Sequence, residues 1–176
     1  MLRPDLTVVF GVSGVGKTTA CANLAQRRPN FRHITASQLI DRGRLATSRT
    51  ADQVYATQVE IIERLRDIRE SEPRRIILDG HCVIRLATGL YQLPSNFIAE
   101  IAPAMIILIE ADPETIQKRR TERTSGVETE TLDGIAQEVC LTRETCLAYH
   151  RDLSIPLRVL NSKGDDIADD LYFSLA

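Results

Sequence analysis

The sequence predicts an α/β protein built on a doubly wound parallel sheet. Apolar strand-like runs alternate with helical patterns along its 176 residues. Two of these runs, Ile76-Ile77-Leu78 and Met105-Ile106-Ile107-Leu108-Ile109, are continuously apolar, as strands buried on both faces are. Residues 11–18 read Gly11-Val12-Ser13-Gly14-Val15-Gly16-Lys17-Thr18, a complete G-x-x-x-x-G-K-[ST] loop between a strand pattern and a helix pattern. Such alternation gives βαβ units.

The elements follow in order. Leu6-Thr7-Val8-Val9-Phe10 is an apolar, β-branched strand leading into the loop. The helix after the loop carries Ala20, Cys21, Leu24 and Ala25 and is ended by Pro29. Residues 31–35 form a second strand. Thr50-x-x-Gln53 is a capping box before a helix with the apolar stripe Val54, Ile61, Leu65 and Ile68. Residues 75–79 form a third strand, and the stretch after it, framed by Gly89 and Pro94, is expected to be irregular. Residues 104–110 form a fourth strand. Asp112-Pro113-Glu114 then supplies an N-cap, a proline at the first position and an acid in the first turn of a helix running to about Arg123. Ser125-Gly126 breaks it. A helix near 133–151 carries Ile135, Val139, Thr142, Cys146 and Tyr149 at three-four spacing. Residues 156–160 form the fifth strand, and a last helix over 165–175 buries Ile167 and Leu171.

Composition narrows the function classes. The length suits one core and one domain. A net charge of -2 argues against a duplex nucleic-acid binder. No apolar run is long enough for a membrane helix, and the first strand follows Met1 too closely for a signal peptide, so a cytoplasmic location is expected. Cys21, Cys82, Cys140 and Cys146 lack C-x-x-C spacing and are expected as free thiols; Cys82 falls in a site loop.

The glycine loop implies phosphate chemistry. Its glycines let successive N–H groups converge on one point, and the helix start adds unpaired donors and the positive dipole end. Lys17 can reach β- and γ-phosphates, and the Thr18 hydroxyl suits Mg²⁺. Asp79, at the C-terminal end of a buried strand, is placed to hold Mg²⁺ opposite Thr18. Arg119, Arg123 and Arg143 flank a polar tip over 124–131 and suit a closing flap that neutralises transferring charge. Arg120 taken alone is as readily a solvated helix-face charge. Arg42, Arg44, Arg49 and Arg85 are candidates for an acceptor phosphate, Arg85 foremost. His81 reads as a binding or positioning residue; His33 and His150 read as structural or solvated. A switch GTPase is disfavoured, because Asn161-Ser162-Lys163-Gly164-Asp165 is a poor match to N-K-x-D and no D-x-x-G follows the second acidic strand.

With these residues in place, the chain resembles the nucleoside monophosphate kinases, most of all the archaeal-type adenylate kinases. Four stretches carry the similarity: residues 11–19; Leu78-Asp79-Gly80-His81 with Ile84-Arg85-x-x-x-Gly89; Ile107-x-Ile109-Glu110-Ala111-x-Pro113-Glu114 ending in Arg119-Arg120; and Arg143 six residues before Tyr149. The resemblance implies a three-layer αβα P-loop kinase fold with a five-stranded parallel sheet. It also implies a monophosphate-binding helical segment near 36–70 and a short LID near 120–142. It implies transfer of the γ-phosphoryl group of ATP, with Mg²⁺, to a nucleoside monophosphate, AMP first. Gly11, Ser13, Gly14, Val15, Gly16, Lys17, Thr18, Thr19 and Arg119 correspond to nucleotide contacts, and Thr18 with Asp79 to the metal contacts. Lys17, Arg119, Arg123, Arg143 and Asp79 correspond to the catalytic set, and Ser37, Arg42, Arg49, His81 and Arg85 to the acceptor site. Residues 161–164 correspond to the late loop beside the ATP base. The family pattern differs at four places. It has Thr before the site histidine and Lys at Arg85; many members have Arg where Asp41 stands; and the 86–88 stretch here lacks a proline. A small P-loop kinase acting on a metabolite, a deoxynucleotide or an RNA end is the alternative. In it Asp79 or His81 would act as base toward a hydroxyl acceptor.

Overall fold

All five predicted strands pair into one parallel sheet. The computed structural model describes residues 5–40, 50–124, 130–162 and 167–175. In chain order the elements are β1 (Leu6–Phe10), α1 (Lys17–Arg27), β2 (Phe31–Thr35), a 3₁₀ turn (Ala36–Leu39), α2 (Ala51–Ser71), β3 (Arg75–Asp79), β4 (Val83–Leu86), β5 (Gly89–Gln92), α3 (Ser95–Ile101), β6 (Met105–Glu110), α4 (Pro113–Arg123), α5 (Leu132–Leu153), β7 (Leu157–Asn161) and α6 (Ala168–Leu175). The strand order is β2-β3-β1-β6-β7, so β1, which feeds the glycine loop, is central.

Side chains alternate across the sheet, and each face has its own core. Leu6, Val8, Phe10, Leu78 and Leu108 pack with Ile61 and Leu65 of α2, Ile98 of α3 and Tyr149 of α5. On the other face Val9, Ile77, Ile107 and Ile109 pack with Cys21 and Leu24 of α1, Ile116 of α4 and Leu171 of α6. Helices therefore cover both faces in three layers.

Local signals mark the starts of three helices. The Thr50 hydroxyl accepts from the Gln53 amide while the Gln53 side chain accepts from the Thr50 amide. Asp112 stands at the N-cap of α4 with proline next, although its side chain makes no capping bond. The Thr131 hydroxyl caps α5 at the Gly134 amide. Two elements depart from expectation. The stretch framed by Gly89 and Pro94 is not irregular but an antiparallel hairpin, β4–β5, paired from Val83↔Gln92 to Leu86↔Gly89. Its strands are short and only partly apolar, which hides them from periodicity. The α3 helix, about two turns of largely apolar residues between β5 and β6, is likewise too short for a periodic signal.

Glu72, at the C-cap of α2, ties that helix to the sheet edge. Its buried carboxylate accepts from Arg32 at 2.7 Å and from the Arg74 guanidinium at 2.7 and 2.9 Å. The Arg74 hydrogen bonds, with help from Arg32 and against desolvation, hold its carboxyl down at about 2. A carboxyl depressed in the folded state contributes stability that is present above its ordinary value near 4.5 and is lost as pH falls toward 2. Glu72→Gln should therefore lower the urea-unfolding free energy by about 1–3 kcal/mol at pH 7. The gap from wild type should close as unfolding is repeated at falling pH below 4.5.

Candidate functional site

The loop after β1 is shaped by what surrounds it. A Cβ on Gly11 would stand 2.6 Å from the Ile109 carbonyl oxygen, so only glycine lets the loop leave β1 beside β6. Gly14 has φ +94°, and a Cβ there would press on Arg120 and Ile116 at 3.3 Å. The loop then enters α1 at Lys17.

Lys17 is buried, and its Nζ lies 3.3 Å from His81 Nε2 and 4.0 Å from Asp79 Oδ1. Burial lowers its pKa and the Asp79 charge works against that. The Thr18 hydroxyl donates to Asp79 Oδ2 at 2.5 Å. Asp79 is 1% exposed and pairs in register with Val9 of β1 and Thr35 of β2. Burial alone would raise its pKa; the nearby His33 ring, the Thr18 hydrogen bond and the Lys17 charge outweigh burial and keep it below the ordinary value. An ionised carboxylate and a hydroxyl side by side are the hard oxygen donors that Mg²⁺ takes, with waters and phosphate completing its shell. Thr18 and Asp79 are thus the residues that could hold it.

His33 was expected to be structural or solvated. Instead its Nε2 stands 3.5 Å from Asp79 Oδ2, because β2 and β3 run in register and bring their carboxyl ends together. Cys82, the thiol expected in the site loop, is fully buried with its Sγ 3.8 Å from Cys146 Sγ, and belongs to the core beneath the site.

Two cavities meet at Lys17, Thr18 and His81. One, of 510 Å³, is walled by Ser13, Gly14, Gly16, Thr19, Arg119, Arg123, Ser162 and Ile167. The other, of 310 Å³, is lined by Thr35, Ala36 and Ser37, by Gln58 and Ile61 of α2, by Phe97 and Ile98 of α3, and by Val8, Phe10 and Leu78 of the sheet.

The arginines divide. Arg119 donates to the carbonyls of Gly14 and Val15 at 3.3 and 3.1 Å and to the Ser162 hydroxyl at 3.2 Å. Arg123 reaches the Ser13 hydroxyl at 3.2 Å. Arg120 is 8% exposed rather than solvated, and its Nε donates to the Ser13 carbonyl at 2.8 Å. Sequence spacing missed it because its partners lie in the glycine loop, on α5 and just before α5. Arg143 is held in a bidentate pair by Glu110 at 2.9 and 2.6 Å and is not among the described residues lining either cavity. Arg85, on β4, pairs with Glu138 at 3.0 Å and Glu130 at 3.3 Å and is likewise absent from those walls. Arg42, Arg44, Arg49 and Asp41 lie outside the described residues, as do 163–164 of the expected base loop.

Desolvation and the neighbouring Lys17 charge push His81 down to about 4 from an ordinary 6.5. His81 lines both cavities and is exposed to solvent, so water screens part of that effect. A neutral imidazole can accept the Lys17 hydrogen bond at Nε2. In an NMR titration the His81 ring should therefore protonate below 6.5, while Lys17→Met should move its midpoint upward. A midpoint at or above 6.5 in wild type would contradict this electrostatic picture.

Comparisons with known proteins identify the family and the fold. A family model described as an AAA domain matches residues 10–136. An adenylate kinase of Methanothermobacter thermautotrophicus is 31% identical over 174 residues, covering 92% of each chain. An adenylate kinase of Thermococcus sibiricus is 27% identical over 177 residues, covering 92% of this chain and 88% of that one. Among solved structures, a sugar kinase from Janibacter superposes with a TM-score of 0.63 at 17% identity, covering 98% of this chain and 92% of that one. A gluconokinase from Sinorhizobium meliloti superposes with a TM-score of 0.58 at 16% identity over the full length of both chains. These two likenesses speak for the fold alone. With the loop, the strand order and these relatives together, the chain belongs to the P-loop nucleoside monophosphate kinase family and is a phosphotransferase of the P-loop kinase type.

Proposed function

We propose that the chain transfers the γ-phosphoryl group of ATP to a nucleoside monophosphate, with AMP as the leading acceptor. The observation that carries this reading is the pair of cavities meeting at Lys17, Thr18 and His81. The larger, walled by the loop and by Arg119 and Arg123, suits a triphosphate donor. The smaller, apolar with Thr35, Ser37 and Gln58 in its lining, suits a base and ribose whose phosphate points at the junction. The adenylate kinase relatives support AMP as that acceptor.

The chemistry follows from the placement. Loop amides and Lys17 hold the donor phosphates, and the acceptor phosphate oxygen attacks the γ-phosphorus in line as the bond to the β-phosphate oxygen breaks. A phosphate dianion is already a nucleophile, so no side chain needs to remove a proton. Mg²⁺, held by Thr18 and Asp79, would neutralise charge on the β- and γ-phosphates. Neutral His81 keeps Lys17 aimed at the junction without adding a competing cation. In this reading residues 36–70 form the monophosphate-binding segment, with Ser37, Arg42, Arg49 and Arg85 as acceptor contacts. Residues 120–142 form the LID, whose closure would bring Arg143 from Glu110 onto the transferring group.

A second reading has one specific support. Among the described residues the smaller cavity has ionisable side chains only at Lys17, Asp79 and His81, an arrangement that also fits an uncharged hydroxyl acceptor, with the buried Asp79 carboxylate as base. ADP release measured across all ribo- and deoxynucleoside monophosphates, and across sugars and sugar acids, separates the two. Turnover with AMP or another monophosphate is expected. Turnover confined to a hydroxyl acceptor would replace the first reading with the second.

Two variants test the machinery. Lys17→Ala should lower kcat by ~10²-fold or more while circular dichroism stays unchanged, because the lysine serves the junction and not the core. Arg143→Ala should lower kcat by ~10²-fold if it reaches the transferring charge, whereas a change confined to KM would leave it in ground-state binding.

A further inference from the structure

The glycine loop can only present its N–H groups to an anion by turning its carbonyls away from it, and those carbonyls need donors of their own. Three consecutive ones are met from a single helix. Arg119 serves Gly14 and Val15, and its neighbour Arg120 serves Ser13. Arg120 differs in how it is held. Its guanidinium is buried and uses every edge: Nε on the Ser13 carbonyl at 2.8 Å, one terminal nitrogen on Glu138 at 3.1 Å, and the other on Glu130. Glu138, itself 8% exposed, sits on α5 and is fixed beneath α4 by this contact. Ser13 is at the same time a wall of the larger cavity, so the peptide that Arg120 grips on one side borders the donor site on the other.

From this we infer that Arg120 is a positioning residue of the nucleotide site, oriented by Glu138. It does not touch the donor; it fixes the Ser13 carbonyl outward and thereby the tilt of the Ser13–Gly14 peptide whose N–H faces the phosphates. The planar fork serves a carbonyl and two carboxylates from three separate nitrogens in a fixed geometry, whereas a lysine ammonium donates from a single point and would lose the directed Nε bond. The absence of a side chain at Gly14 is part of the device, because a Cβ there would displace Arg120 at 3.3 Å. The inference rests on the loop as a triphosphate site and not on the identity of the acceptor.

The test is calorimetric titration of the full chain with Mg²⁺ and a non-hydrolysable ATP analogue. It is run at a temperature where circular dichroism shows each protein folded. Arg120→Lys should raise Kd by about tenfold or more, and Glu138→Gln, which keeps the side-chain shape but removes the charge, by about three- to tenfold. The double variant should bind about as Arg120→Lys does, since the two act as one unit. If Arg120→Lys fails to fold, Glu138→Gln decides. A lowered melting temperature with Kd within about twofold of wild type would overturn the inference and leave Arg120 as a link between α4 and α5. If the wild-type chain phosphorylates no nucleoside monophosphate while the Kd shifts hold, the acceptor reading falls and this one stands.

Discussion

One constraint organises the molecule: a backbone that gathers its N–H groups around an anion must dispose of its carbonyls elsewhere. The loop of residues 11–18 meets it with glycines where Cβ atoms would collide, and with two arginines from α4 that receive the outward carbonyls of Ser13, Gly14 and Val15. The position of α4 is therefore part of the loop's geometry. α4 is set in turn by β6, whose apolar run anchors it beside the central strand, and by Ile116 buried under Gly14.

Charge at the junction is balanced in the same economical way. Lys17 is buried, which would favour its neutral form, but Asp79 lies within 4.0 Å and opposes that. Asp79 is buried, which would favour its protonated form, but Thr18, His33 and Lys17 keep it ionised. His81 yields instead, taking the neutral form between the cation and the cleft. Removing any one member changes the protonation balance of the others, so these side chains act as a unit. Farther out, Glu110 holds Arg143 and Glu138 holds Arg85. Two of the arginines expected over phosphates are thus parked on carboxylates that a bound phosphate would have to outcompete.

The legible part of the chain was the part written in short-range patterns. Strands came from apolar runs, the start of α2 from Thr50 and Gln53, and the start of α4 from Asp112 and Pro113, because caps and periodicity depend on neighbours a few residues away. The loop and the Asp79 strand end were legible for the same reason, since each motif sits within one strand and its exit. The β4–β5 hairpin and α3 were not, being too short to show a period. Nor were the roles of His33 and Arg120 visible. His33 reaches Asp79 through strand register, across 46 residues of chain, and Arg120 finds its carbonyl in the glycine loop and its carboxylates on α5 and just before it.

By itself the sequence determined the sheet, the phosphate loop and the ionisable residues available to it, because local patterning and one contiguous motif suffice for these. Tertiary structure decided which of those residues share a site. It joined Lys17, Thr18, Asp79 and His81 at the meeting point of two cavities and turned Arg120 inward, while Arg143 and Arg85 went to glutamates. The physical reason is that a charged side chain takes the best partner within reach once the backbone has brought distant elements together, and reach is a property of the fold.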